Sequence, residues 1–244
     1  MINLNFLSLQ ASYSGLELSL FKKNILIKKI EESNKKASSI LIPLIQEFLE
    51  KNSLKISDLN FICVDHGPGA FTSLRVAITT VNGISFAHKI PLIGIDGLHA
   101  LSLETFDLLQ NKYKNLKANL LITLLNAYND EVFFEINKIE NNILKKIEIK
   151  NLEKNYVKID FFLNEIKKNL GDKNILFSGN GTTLHKKLIQ DILKSQAIFF
   201  TEILQVCSTE QIAKMGIEKY NSDKNFVYKL LPAYLKSQTF AVKK

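Results

Sequence analysis

The feature that most constrains the fold of this chain is an order of strands and helices that occurs twice. Alternating apolar residues predict three short strands within residues 2–30, and apolar residues at helical spacing predict a helix over 38–51. The first half continues with a strand, a helix, a strand and a helix predicted at 61–64, 71–88, 91–95 and 98–109. The second half has strands predicted at 120–125, 131–137 and 143–149, a helix over 159–170, a strand at 175–178 and a helix over 182–193. Both halves therefore run strand, strand, strand, helix, strand, helix, although their residues do not repeat.

This order predicts an α/β protein of two lobes. Three meandering strands extended by strand–helix units give a mixed sheet with helices on both faces. Two such ribonuclease H-like lobes form the actin-like (ASKHA) architecture that actin, hexokinases and acetate kinases share. We expect the first lobe at residues 1–104 and the second at 105–244. In the tail, 208–244, Ser208 and Gln211 have the spacing of a helix capping box, and this tail is expected to return to the first lobe.

Composition is ordinary for a globular protein, with 46% hydrophobic and 23% charged residues. Apolar stretches fall far short of the roughly 20 residues that span a bilayer, so no membrane contact is expected. The start of the chain lacks the basic and apolar blocks of a secretory signal. The two cysteines have neither disulfide nor zinc spacing. We therefore expect a cytoplasmic protein with reduced thiols.

The formal net charge of +8 would suit a nucleic-acid-binding protein. The charge is scattered, however, because lysine pairs lie in different predicted elements and form no run with interleaved aromatic residues. We therefore do not expect direct, tight binding of nucleic acid. Arg75 is the single arginine among 32 basic residues. A planar, forked donor that lysine cannot replace is thus indicated at that position.

A glycine-rich motif follows the strand at 61–64 and opens the helix at 71–88. Residues 65–75 read Asp-His-Gly-Pro-Gly-Ala-Phe-Thr-Ser-Leu-Arg. Gly67 and Gly69 permit backbone angles and close approaches that a side chain would prevent, Pro68 fixes one turn angle, and Thr72 is in place to cap the helix. The spacing lacks the lysine-serine ending of a P-loop, so a nucleotide site is not indicated.

This motif resembles the Gly-Pro-Gly-Ser-Phe-Thr-Gly-Leu-Arg signature of the TsaB (YeaZ) family. The resemblance extends to Leu41–Ile45, Ile90–Ile95, the residues around Asn126–Val132, Gly179–Gly181 and the terminal Leu231–Lys236. Three departures are present. Asn126-Ala127-Tyr128 stands where the family commonly has Asp-Ala-Arg, Ala37-Ser38-Ser39 where it has His-Ser-Glu, and Ser73 where it has the third glycine.

The resemblance implies a non-catalytic subunit of a tRNA-modifying complex. TsaB proteins pair with TsaD, which transfers a threonylcarbamoyl group to the adenosine beside the anticodon of tRNAs that read A-starting codons, and the ATPase TsaE joins them. No cofactor is implied for the TsaB subunit. Family members also form homodimers, so the same surface is expected to bind either TsaD or a second copy.

The resemblance further implies that helices of the first lobe form the partner interface. The helix at 38–51 and the helix at 71–88 would supply it together with the glycine loop. The predicted partner-binding residues are Ile40, Leu41, Leu44, Phe48, Gly67, Pro68, Gly69, Phe71, Thr72, Leu74, Arg75, Val76, Ile78, Thr79, Asn82 and Gly83.

Residues that would carry catalysis are missing from the sequence. Actin-like phosphotransferases hold magnesium through carboxylates at the end of the first strand of each half, where this chain has Gln10 and Asn126. The four histidines are too widely separated for the His-x-x-x-His metal pair of TsaD. No serine lies in a nucleophile elbow. We therefore predict neither a catalytic residue nor a metal site.

Two other functions remain open at this point. The chain could be an actin-like-fold small-molecule kinase, which Gln10 and Asn126 disfavour. It could also be a peptidase-like protein, a label attached to the wider family, which the missing nucleophile and metal pair disfavour.

Overall fold

The structure is a computed structural model that describes residues 3–13, 15–33, 37–152, 156–222 and 226–236. Residue 2 of the first predicted strand and residues 237–244 of the predicted tail lie outside this part of the chain. The chain divides into two units, Met1–Lys114 with Val206–Pro232 and Asn115–Gln205 with Ala233–Lys244. The boundary predicted after residue 104 falls inside a helix of the first unit, Gly97–Asn111.

The repeated order of elements is present in the structure. The strands are β1 (Phe6–Gln10), β2 (Leu16–Lys22), β3 (Ile25–Glu32), β4 (Phe61–Asp65), β5 (Leu92–Ile95), β6 (Leu120–Asn126), β7 (Glu131–Glu140), β8 (Ile143–Lys146), β9 (Tyr156–Lys158), β10 (Ile175–Ser178) and β11 (Ala197–Phe199). The helices are α1 (Ala37–Lys51), α2 (Phe71–His88), α3 (Gly97–Asn111), α4 (Ile159–Leu170), α5 (Asn180–Leu193) and α6 (Thr209–Ser222).

The first unit is built on a mixed sheet with the strand order β3-β2-β1-β4-β5. The β1–β2 and β2–β3 pairs are antiparallel, whereas β1–β4 and β4–β5 are parallel. Side chains alternate between the two faces of each strand. Leu7, Leu9, Ile62 and Val64 therefore point to one face, where α1 and α2 pack against them.

Helix α6 covers the opposite face of this sheet. It contacts β1, β4 and β5 and also packs on α3. The approach is close, because a Cβ atom on Gly216 would lie 2.9 Å from the Cβ of Cys63. The stacked rings of Phe6 and Phe61 lie on this face too, with their centroids 4.5 Å apart.

Buried polar groups fix the start of α6. The Ser8 hydroxyl donates to the carbonyl oxygen of Thr209 over 2.7 Å, and the Ser19 and Thr209 hydroxyl oxygens are 2.6 Å apart. The Glu17 carboxylate accepts a hydrogen bond from the Thr209 N–H over 2.6 Å. The Ser208 hydroxyl accepts from the Gln211 N–H over 3.2 Å, which is one half of the predicted capping box. The other half is replaced, because the Ser208 N–H donates to the Glu104 carboxylate over 2.8 Å.

The second unit repeats this plan with the strand order β11-β10-β6-β7-β8, and β9 pairs with β7. Strands β6 and β7 are antiparallel, while β10 is parallel to both β6 and β11. Helices α4 and α5 share one apolar cluster with the sheet, to which Ile122, Phe162 and Phe177 belong. From the opposite edge this order is β8-β7-β6-β10-β11, which matches β3-β2-β1-β4-β5 of the first sheet strand for strand.

The predicted α/β class with two mixed sheets is confirmed. Helices α2 and α4 and strand β10 have the predicted bounds. Strand β1 begins at Phe6, later than the alternation predicted, and all five of its residues are buried. Both of its faces are covered, so burial does not alternate along it. The three-residue strands β9 and β11 were not predicted. Within the described residues no helix combines the length and apolar character that crossing a bilayer requires.

The contacts of Thr209 predict that replacing its hydroxyl destabilises the fold. Thr209→Val should lower the free energy of unfolding by about 1–3 kcal/mol, because the buried Ser19 hydroxyl and the Glu17 carboxylate each lose a partner. Urea denaturation of wild type and variant measures this difference. Thr201→Val, at an exposed position, is the matched control and should be nearly neutral. Equal stability of the two variants would contradict the role assigned to Thr209.

Candidate protein–protein interface

The glycine-rich loop joins β4 to α2 and lies directly against the loop after β1. Gly67 has a φ of 116°, which favours glycine, and the Gly67–Pro68 peptide bond is cis. A Cβ atom on Gly69 would lie 2.4 Å from the carbonyl oxygen of Ser12. That oxygen accepts a hydrogen bond from the Ala70 N–H over 2.6 Å. Both glycines are thus required by the backbone and its packing, as the motif predicted.

Helix α2 begins without the predicted cap from Thr72. Ala70 occupies the N-cap position in an extended conformation, and no side-chain cap bond is formed there by a described residue. Thr72 lies in the first turn of the helix and is exposed. A capping side chain has to precede the first helical residue. Since the helix starts at Phe71, Thr72 is too far along the chain to cap it, and this prediction was wrong.

A buried carboxyl group, Asp65 at the end of β4, stabilises the loop. Its Oδ1 accepts a hydrogen bond from the Gly67 N–H over 2.8 Å, and only 2% of the residue is exposed. Burial raises the pKa of Asp65 to about 6, against the opposing effect of hydrogen bonds from Ser12 and Gly67. A Cβ atom on Gly97 would lie 2.3 Å from the same carboxyl oxygen. The Asp65 carboxyl group therefore packs directly against the backbone at Gly97, with no space for a side chain between them.

The two amides at the ends of β1 and β6 bond to neighbouring groups of the chain. Gln10 donates to the Ser12 hydroxyl over 2.7 Å, and Asn126 accepts from the Tyr128 N–H over 2.8 Å. The first N–H groups at α5, those of Gly179 and Asn180, donate to carbonyl oxygens of the loop after β11. Among the described residues, no group of three or more His, Cys, Asp or Glu side chains is placed to hold a metal ion.

Helices α1 and α2 lie side by side on the first sheet and enclose an apolar groove on their outer side. Its volume is about 650 Å³. The apolar lining consists of Ile42, Ile45, Leu49, Leu54, Ile56 and Ile84, and the small residues Thr79, Thr80, Gly83 and Ala87 form the α2 wall. Glu50, Lys55 and His88 add polar groups. An apolar groove with a polar margin has the composition of a protein interface.

Gly83 leaves the α2 wall of the groove open. The residue is exposed, and apart from its chain neighbours and the backbone of its own helix no described atom lies within 4 Å of where its Cβ atom would be. A neighbouring backbone can therefore approach α2 closely at this point.

The predicted interface residues fall into three groups by burial. Buried in the first unit are Leu41, Phe48, Gly67, Pro68, Leu74 and Ile78, while Ile40, Leu44, Gly69, Phe71, Val76 and Asn82 are half-buried and Thr72, Arg75, Thr79 and Gly83 are exposed. Leu41, Phe48 and Ile78 belong to the core cluster of the unit. These three side chains face their own sheet and support the helix pair from inside, and their predicted contact with a partner stays a prediction. Of the sixteen predicted residues, Thr79 and Gly83 line the groove.

Two large exposed side chains of the helix pair were missed by the sequence reasoning. Ile42 on α1 is 62% exposed and Phe86 on α2 is 77% exposed. Both are bulky apolar residues out of phase with the buried stripe of their helix. That mismatch is the signal that the sequence offers for an interface residue.

The exposed Arg75 and the half-buried Phe71 form a pair on the first turns of α2. The guanidinium carbon lies 3.5 Å from the centre of the Phe71 ring, a stacked cation–π contact. A guanidinium stacked on a ring keeps its N–H donors in its own plane, where they remain able to donate hydrogen bonds. Lysine has no planar group that could stack in this way, which agrees with the use of arginine at this position.

Comparisons with known proteins agree with this arrangement. A protein-family model described as TsaD, tRNA N6-adenosine threonylcarbamoyltransferase, matches residues 24–237. The chain belongs to this family. The TsaB protein of Bacillus subtilis (strain 168), named for tRNA threonylcarbamoyladenosine biosynthesis, is 24% identical over 236 residues, which cover 96% of this chain and 94% of that protein. The TsaB protein of Buchnera aphidicola subsp. Baizongia pistaciae is 26% identical over 234 residues, or 94% and 96% of the two chains.

Solved structures with the same fold come from Pseudomonas aeruginosa. YeaZ has a TM-score of 0.67 at 18% identity, with 94% of this chain and 99% of that chain covered. An uncharacterised protein described as similar to peptidase YeaZ has a TM-score of 0.69 at 17% identity, with 95% and 99% covered. Together with the full-length relatives, these likenesses confirm the predicted TsaB resemblance. The TsaD family match fits a paralogue of TsaD.

The buried Asp65 carboxyl predicts a specific pH dependence of stability. Its pKa in the fold, about 6, exceeds the ordinary value of 3.8, so between these values the folded state binds more protons than the unfolded state. The contribution of this group to stability is fully present below pH 4 and is lost as pH rises towards 6 and beyond, by up to about 3 kcal/mol. Asp65→Asn should remove that fall, which unfolding free energies measured from pH 4 to pH 8 would reveal.

The control for Asp65→Asn is Asp172→Asn, which removes an equal charge at an exposed position. The unfolding free energy of Asp172→Asn should fall with rising pH as that of the wild type does. If the profile of Asp65→Asn also matched the wild type, the carboxyl group would not titrate as its burial requires.

Proposed function

We propose that this chain is a non-catalytic subunit that binds a TsaD protein and activates threonylcarbamoyl transfer to the adenosine beside the anticodon of tRNA. The apolar groove between α1 and α2 carries this proposal. Full-length relatives are named for threonylcarbamoyladenosine biosynthesis, and the family model is that of the transferase itself. A subunit of this pathway without chemistry of its own needs a surface on which to bind the catalytic one.

The partner proposed for the groove is the helix pair in the first lobe of TsaD. Two helices that pack against α1 and α2 would bury Ile42, Leu54, Ile56 and Phe86, whose exposure to water is otherwise unfavourable. Small residues at Thr79, Gly83 and Ala87 would let one of those helices approach α2 closely. Arg75, held flat on Phe71, lies beyond the groove and is proposed to bond a carboxylate of the partner.

The proposal of a non-catalytic role is supported by the polar groups at the strand ends. Gln10 and Asn126 supply neutral amides where a magnesium ion requires carboxylates, and both bond within the chain. Asp65 is buried against the glycine loop. We propose that TsaE joins the complex, that tRNA contacts this subunit only indirectly, and that the assembly works in the cytoplasm.

A second occupant of the same groove is another copy of this chain. The exposed apolar lining is as suitable for self-association as for a paralogue with the same fold. The homodimer and the TsaD complex would then compete for α1 and α2. Size-exclusion chromatography with and without TsaD distinguishes the two species.

The direct test is co-purification with the TsaD protein of the same organism, followed by reconstitution of tRNA modification. Modification should depend on this chain, and TsaD should be retained by it. Full modification without this chain, or no retention of TsaD, would overturn the proposal.

Gly83→Arg tests the groove itself. The long side chain has space in the monomer but would fill the groove, so TsaD affinity should fall by about tenfold or more at unchanged fold. Gly83→Ala adds only a methyl group and should stabilise the helix by about 0.5–1 kcal/mol. Titration calorimetry and thermal unfolding measure the two effects.

Asn169→Arg, on an exposed face of α4, adds the same charge away from the groove. This control variant is expected to bind TsaD with the affinity of the wild type. Undiminished binding by Gly83→Arg would exclude the groove as the TsaD interface.

A further inference from the structure

Residues 226–231, here called the strap, run along the flank of α2 that faces away from the groove. Successive residues of a helix are rotated by about 100°, which puts Asn82 and Ser85 on a different side of α2 from Thr80 and Ile84. Asn82 and Ser85 contact the strap, whereas Thr80 and Ile84 line the groove. Helix α2 is therefore held between α1 on one flank and the strap on the other.

The Asn82 side chain binds the strap backbone twice. Its Oδ1 accepts from the Leu230 N–H over 2.8 Å, and its Nδ2 donates to the Leu230 carbonyl oxygen over 3.0 Å. This is the pattern by which two residues of adjacent antiparallel strands exchange both bonds. The buried Ser85 hydroxyl donates to the Tyr228 carbonyl oxygen over 3.1 Å. Asn82, predicted to touch a partner, thus has its amide occupied by its own chain.

The strap also completes the first sheet and its core. Val227 and Leu92 exchange two backbone hydrogen bonds, of 2.8 and 3.0 Å, so the strap covers the open edge of β5. The Leu230 side chain is buried in the same apolar cluster as Ile45 of α1 and Val81 of α2. It packs against Gly94, where a Cβ atom would lie 3.0 Å from its Cδ2. Loss of Leu230 would leave a cavity in the core that α2 helps to enclose.

Besides Leu230, the strap has a ring contact with α6, where Phe226 stacks on Tyr220 with their centroids 6.1 Å apart. Val227, Tyr228 and Leu231 are 43%, 51% and 71% exposed. A segment held by a few backbone bonds, one ring contact and one buried side chain opens at a lower free-energy cost than the unit as a whole. Undocking would remove the Asn82 and Ser85 bonds and the Leu230 packing from one flank of α2.

We propose that the strap is a positioning device for α2, so that its docking through Asn82, Ser85 and Leu230 is coupled to binding of the partner in the groove. This inference rests on the proposed function of the groove. The docked strap fixes the flank of α2 and so holds the groove in its open, binding-competent form. Coupling is reciprocal, so the partner stabilises the docked strap even though it binds the opposite flank.

Hydrogen exchange of the chain alone tests the docking step without any partner. Asn82→Leu should raise the exchange rates of the Val227 and Leu230 amides by about tenfold or more, while the amides of β1 and β4 keep theirs. Ser85→Ala, at a buried position, should have a smaller effect in the same direction. Asn82→Asp keeps the acceptor for the Leu230 N–H and should be intermediate. Asn111→Leu on α3, whose amide bonds within its own helix, is the matched control. Unchanged strap amides in Asn82→Leu would overturn the docking role of Asn82.

Titration with TsaD tests the coupling. Affinity should fall by about fivefold or more in Asn82→Leu and less in Ser85→Ala and Asn82→Asp, with Asn111→Leu at the wild-type value. Ser85 is buried and cannot touch the partner, so its effect has to pass through the strap. Bound TsaD should slow exchange of the Leu230 amide in the wild type. If Asn82→Leu released the strap and still bound TsaD with wild-type affinity, the coupling would be overturned. Failure of the wild type to bind TsaD would instead overturn the proposed function together with the coupling that rests on it.

Discussion

Strands β1 and β4 have no residue exposed to water, so both faces of the first sheet have to be covered by other elements. Helices α1 and α2 cover one face and α6, from the far end of the sequence, covers the other. The polar contacts of Ser8, Ser19 and Glu17 with Thr209 hold α6 in that place. The outer sides of α1 and α2 remain exposed as a consequence, because their inner sides are fully used by the sheet.

The same packing decides what the glycine-rich loop can do. Gly69 lies so close to Ser12 that the two loops are joined backbone to backbone, and Asp65 is buried beneath them. In an actin-like phosphotransferase the corresponding strand ends open towards a nucleotide and its metal ion. Here Gln10 donates to Ser12, and Asp65 bonds to Ser12 and accepts from the Gly67 N–H. The loop thus fixes where α2 starts and supports the helix pair.

The direction in which a side chain leaves the axis of α2 separates three roles, which cannot be told apart in the sequence. Leu74, Ala77, Ile78 and Val81 face the sheet, Thr79 and Gly83 line the groove, and Asn82 with Ser85 holds the strap. A helix that is used on three sides has little freedom to shift, which gives the proposed interface a rigid outer surface. Rigidity of this kind lowers the entropic cost of binding a partner.

The sequence by itself determined the order of elements, the α/β class and the family, because periodicity and a glycine-rich motif are local properties of the chain. The resemblance to that family also implied that the helix pair is the surface for a partner, which stays a proposal. The sequence could not tell Leu41 and Phe48, which face the core, from Ile42, which faces the groove, because the direction of a side chain depends on which neighbour its helix packs against. Nor could it assign Asn82 to the strap, which lies almost 150 residues further along the chain. Those assignments were decided by the tertiary structure, in which contacts between distant segments determine which residues are exposed to water.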